Sequence, residues 1–119
     1  MTNKKYDIYD RIFKFVVSVV KILRLLPRTE ESKVIVLQVL RSATSIGANS
    51  EEADGSSTGK DFIHCFTIVR KEAKETLFWL KLLSELNPKF SGQLRSLISE
   101  CGEIVAIVSK IISNSRSKR

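Results

Sequence analysis

Residues able to do chemistry are few in this chain, and their spacing argues against catalysis. A carboxylate-bridged metal pair in a helical scaffold needs inward glutamates and two Glu-x-x-His pairs. The sequence holds a single histidine, His64, and no Glu-x-x-His. Cys65 follows His64 directly. On a helix the two side chains then point about 100° apart and form no nucleophile–base couple. Gly55 and Gly59 bracket a small polar loop but lack the lysine and hydroxyl of a phosphate-cradling P-loop. Two cysteines, Cys65 and Cys101, make neither a disulfide framework nor a zinc site. No catalytic residue, metal ligand or cofactor is predicted, and the chain reads as a non-enzyme.

What remains is charge. Lys and Arg number 20 against 13 Asp and Glu, a formal net charge of +7. The excess is uneven: residues 1–28 carry +5, residues 29–59 carry −3, residues 60–86 carry +1 and residues 87–119 carry +4. Arg11, Lys14, Lys21, Arg24 and Arg28 near the start would join Lys110, Arg116, Lys118 and Arg119 near the end if the first and last helices are neighbours. Such a field attracts a phosphate backbone without reading its sequence. Tyr6 and Tyr9 are the only candidates to stack unpaired bases. Glu72 and Glu75 sit among Lys71 and Lys74 as a solvated face, or they meet Arg41 or Asn49 in a polar network beside Trp79.

The elements that must position these residues are helices. The 119 residues suit one domain, 1–119, with 43% hydrophobic and 28% charged residues. Five glycines and two prolines are too few for a turn-rich β-sandwich or barrel. No apolar run approaches the ~20 residues of a membrane span. The opening residues lack a signal core. A cytoplasmic protein with reduced thiols and no membrane partner is expected.

Apolar residues recur at three- and four-residue spacing in four stretches, predicting helices over about 6–26, 30–53, 60–86 and 92–113, with a basic tail at 114–119. Pro27 and Asn87-Pro88 end the first and third helices. Thr29 and Thr58 are placed as N-caps, Thr58 with Asp61 as a capping box. The third helix buries Phe62, Phe66, Val69, Ala73, Leu77 or Thr76, Leu80 and Leu83. Short connections make this an all-α, up-down-up-down antiparallel four-helix bundle. Gly47 costs about 1 kcal/mol inside a helix relative to Ala, so close approach of another backbone is expected there, inside the subunit or between subunits.

Helices two and three carry an ordered block: Gln38-x-x-Arg41-Ser42-x-x-Ser45-Ile46-Gly47-Ala48-Asn49-x-x-Glu52-Ala53, Ser57-x-x-x-Asp61-Phe62-Ile63, and Ile68-x-x-Lys71-Glu72-Ala73-x-Glu75-Thr76-x-x-Trp79-Leu80. This block, residues 38–80, resembles the four-helix-bundle family of 23S rRNA intervening-sequence proteins. That family includes the accessory variability determinant of diversity-generating retroelements. The resemblance implies a bacterial, ring-like homopentamer with a basic surface. It also implies nucleic acid as partner, RNA before DNA, and for retroelement members a reverse transcriptase. Under it Arg41, Ser45, Gly47, Asn49, Glu52, Glu72, Glu75 and Trp79 are structural rather than catalytic. Cys65, Val69 and Arg70 depart from the family pattern.

Overall fold

Three of the four helices begin on a side chain that accepts a backbone N–H left without a partner by the first turn. The computed structural model describes residues 7–117. Helix α1 spans Ile8–Leu25, and Asp7 caps it by accepting from the N–H groups of Tyr9 and Asp10 at 3.0 and 3.3 Å. Helix α2 spans Glu30–Asp54. Its cap is reciprocal: Ser32 N–H donates to Thr29 Oγ1 at 3.1 Å, and Thr29 N–H donates to Ser32 Oγ at 2.8 Å. Ser32 thus fills the place a Glu or Gln takes in the usual capping box. Helix α3 spans Gly59–Leu86, with Asp61 N–H donating to Thr58 Oγ1 at 3.1 Å. A single 3₁₀ turn, Pro88–Phe90, leads into α4, Ser91–Ser117.

The described helices therefore match the expected four, with two shifts at their ends. α1 starts at Ile8 because Asp7 is its cap. α4 runs four residues past the expected Ser113, because no glycine or proline stands there to stop it.

Each helix packs against its neighbours around a square, α1–α2–α3–α4–α1, leaving α1/α3 and α2/α4 as diagonals. The antiparallel four-helix bundle measures 48 × 28 × 20 Å. Phe66 is fully buried, edge-on to Phe62 at 4.9 Å and tilted against Tyr9 of the first turn of α1 at 6.0 Å. Ile12, Ile46, Leu80, Leu83, Leu94, Ile104 and Ile112 complete the fully buried layers. The β-branched run Val16–Val20 stays helical because Val19 is wholly buried among them. On α3, Thr76 rather than Leu77 takes the fully buried position. The reason is a polar partner: Thr76 and Ser42 share a hydroxyl–hydroxyl hydrogen bond of 2.7 Å inside the core. No described helix is long and apolar enough to cross a membrane.

Candidate nucleic-acid interface

The residues singled out from the sequence separate into those held by other side chains and those left in solvent. Arg41 of α2 reaches across to α3, bonding Glu72 at 3.4 Å and pairing with Glu75. The Trp79 indole N–H donates to the same Glu75 carboxylate at 3.1 Å. Donation from Trp79, then from Arg41, holds the Glu75 carboxyl below its ordinary pKa. This is the expected network, with Arg41 rather than Asn49 as its α2 member. Asn49 instead turns back along its own helix, donating to the Ser45 carbonyl at 2.9 Å and to Ser45 Oγ at 3.1 Å.

At Gly47 the expected close approach does not come from within the described chain. No backbone approaches it; a Cβ added there would meet only the side chain of Val16, at an ordinary 3.6 Å. Packing within the chain would accept alanine. Glu52 is exposed and shares a polar pocket at the α2–α3 hairpin with Asn49, Asp61, His64 and Cys65. Among the described residues no group of three His, Cys, Asp or Glu is placed to hold a metal ion.

Helices α1 and α4 do adjoin, yet the bases do not form one field. Arg11 forks onto Glu100, with Nε and Nη2 donating at 2.7 and 2.8 Å, and Nη2 also reaches Glu103 at 3.0 Å. Donation to Glu100 pushes the Arg11 pKa further up, against the opposing effect of burial. Lys14 pairs with Asp10 one turn back at 3.0 Å. Lys21, Arg24 and Arg28 are exposed and carry no ion-pair partner among the described residues. Lys21 and Arg24 are one turn apart on α1, and Arg28 lies three residues beyond its end.

Antiparallel topology puts Lys110 and Arg116 elsewhere. The end of α1 meets the start of α4, so Lys110 lies about 27 Å along α4 from Gly92 at a rise of 1.5 Å per residue. Glu100 and Glu103 fall between them. Lys110 and Arg116 are exposed at that far end; Lys118 and Arg119 lie outside the described residues. Tyr9, a candidate stacking platform, is half-buried against Phe66, and burial raises its phenol pKa. Tyr6 lies outside the described residues.

Beside Lys21 a cleft of about 520 Å³ opens between α1 and the first turns of α4. Ser18, Ile22 and Leu25 form one wall, and Gly92, Gln93, Ser96 and Leu97 form the other. Sequence reasoning missed this cleft and the Arg11–Glu100–Glu103 cluster. Both depend on how far α4 slides along α1, which spacing within one helix does not encode.

The family model of the 23S rRNA-intervening sequence protein matches residues 4–110. The chain belongs to that family. A crystal structure from Bacteroides thetaiotaomicron, described as a protein of unknown function from the S23 ribosomal protein family, superposes with a TM-score of 0.80 at 35% identity. The match covers 88% of this chain and 97% of that one. Among curated proteins none matches the chain. In this chain the block over residues 38–80 has a physical content. Arg41 with Glu72 and Glu75, and Ser42 with Thr76, fasten α2 to α3, and Trp79 braces Glu75 from within α3.

Proposed function

We propose that this is a non-enzymatic, homo-oligomeric nucleic-acid-binding protein of the cytoplasm. It holds RNA in preference to DNA, through the phosphate backbone and without strong sequence specificity. One observation carries the reading. Lys21, Arg24 and Arg28 stand exposed and unpaired among the described residues, while Arg11 and Lys14 are held by carboxylates. A cation already bound to an acid releases few phosphate counterions, so among the bases of α1 and the turn after it the three free ones make the contact. Fluorescence polarisation of labelled RNA across a salt series tests it. Replacing Lys21, Arg24 and Arg28 together by Gln is expected to weaken binding and to lower the salt slope by about 2 on single strands. An unchanged slope overturns the assignment.

Self-association is the second reading, carried by apolar exposure. Phe13, Val34 and Leu37 are 64%, 61% and 66% exposed. Phe13 edges an apolar groove over Thr44, Gly47 and Ala48. Gly47, which nothing inside the chain requires, leaves room for a second molecule. The family likeness supports a ring of five, and the same face would serve a partner such as a reverse transcriptase. Light scattering on a sizing column decides: a monomer at tens of micromolar removes the oligomer.

A further inference from the structure

We infer that the cleft between α1 and α4 seats one unpaired nucleotide of the bound strand, an inference that rests on the nucleic-acid reading above. The cleft exists because small residues line both sides. Ser18 faces it from α1, and Gly92 and Ser96 from α4. A Cβ built on Gly92 meets nothing within 4 Å. At about 520 Å³ it is large enough for a base with its sugar.

The chemistry of the walls is mixed in the way a nucleotide is mixed. Ile22, Leu25 and Leu97 offer an apolar surface, and Leu25 is 58% exposed. The flat face of a base would cover that surface, and burying it is favourable. Gln93 carries both an amide donor and an amide acceptor. It is thereby equipped for the Watson–Crick edge, which only an unpaired base presents. Lys21 lines the cleft, and Arg24 and Arg28 are exposed near the same end of α1. A base seated inside leaves its own phosphate at Lys21 and the flanking phosphates near the two arginines. An apolar peptide would gain nothing from this row of cations, whereas a nucleotide chain uses both the row and the cleft.

The inference reverses the order that charge alone dictates. A duplex has the denser charge and the steeper counterion release, so a purely electrostatic surface prefers it. With the cleft, a labelled ten-nucleotide single strand is expected to bind about tenfold tighter than a blunt ten-base-pair duplex at 0.1 M salt. Ser96→Leu fills the cleft at an exposed helical position with a good helix former. It is expected to erase the preference while leaving the salt slope unchanged. Gln93→Ala is expected to reduce the preference by about threefold. Circular dichroism confirms that each variant folds. Tighter duplex binding by the wild type, or a preference that survives Ser96→Leu, overturns the cleft and leaves the basic stripe standing. Absence of binding to either probe at low salt removes the nucleic-acid reading itself.

Discussion

The α2–α3 interface and the outer side of α1 use the same residue types to opposite ends. Across α2–α3 Arg41 meets Glu72 and Glu75, and Ser42 meets Thr76, while Trp79 braces Glu75 from within α3. Along α1 the charged groups divide. Arg11 and Lys14 are satisfied, whereas Lys21, Arg24 and Arg28 are not. The difference lies in what each group would lose on removal. A satisfied polar group is part of the fold, because deleting its partner leaves a donor or acceptor stranded. An unsatisfied exposed cation costs the fold nothing and is free to meet an anion. Neither residue type nor motif membership makes that distinction; partnership does.

The largest break in the comparison comes from the core that both regions share. Leu80 of α3 is fully buried, and Leu80→Ala is expected to cost about 3 kcal/mol in urea unfolding. The same change should leave the salt slope of binding untouched, measured where the variant is folded. Lys21→Gln, Arg24→Gln and Arg28→Gln together should do the opposite, moving stability by less than about 0.5 kcal/mol. A loss of stability in the triple variant as large as in Leu80→Ala would show that those bases are structural after all.

A smaller effect sharpens the α2–α3 side. Thr76→Val keeps the shape but leaves Ser42 Oγ with only a long 3.4 Å bond to the Val39 carbonyl. It is expected to cost about 1–2 kcal/mol. Adding Ser42→Ala removes the stranded hydroxyl, so the double variant should lose less than the two single losses added together. Strict additivity would mean the two hydroxyls do not act as a pair.

Arg11 and Arg24 make the sharpest single-residue test, since both are arginines on one helix. Arg11→Met should cost about 0.5–1 kcal/mol, as its fork onto Glu100 is only partly shielded from water. It should leave RNA affinity within about twofold. Arg24→Gln should leave stability unchanged and take about 0.7 from the single-strand salt slope. Exchanged outcomes would place the phosphate contact at Arg11.

Much of this was legible in the residues. Three- and four-residue spacing located all four helices, and the hydroxyls of Thr29 and Thr58 marked two starts. Arg41 and Glu75 could be paired on paper, because a short hairpin fixes the register of α2 against α3. Residue type alone does not choose between Arg41 and Asn49 as the α2 partner; Asn49 has its own backbone carbonyl four residues back as a ready acceptor. The Arg11–Glu100–Glu103 cluster joins residues about ninety positions apart. Its register is set by the packing of the whole core, so no local pattern announces it. The cleft escaped notice for a related reason. Ser18, Gly92 and Ser96 are unremarkable in a list and become a cavity only when two helices place them face to face.

The smallest expected effect is one of pH, and it separates the two regions by titration. Glu75 has its pKa lowered in the folded chain, by the Trp79 indole first and the Arg41 guanidinium second. A group depressed on folding contributes stability that is complete above its unfolded pKa, near 4.5 for this carboxyl. That contribution fades as the pH falls through the lower folded value. The difference in Tm between wild type and Glu75→Gln should therefore be constant from pH 7 to about 5 and close progressively below about 4.5. Trp79 is the single tryptophan, so its emission should change over the same acid range in the wild type and stay flat in Glu75→Gln. A Tm difference that persists unchanged to pH 3 would mean the Glu75 charge is not what Arg41 and Trp79 hold. The triple α1 variant has no such carboxylate partner to lose, and its Tm should track the wild type at every pH.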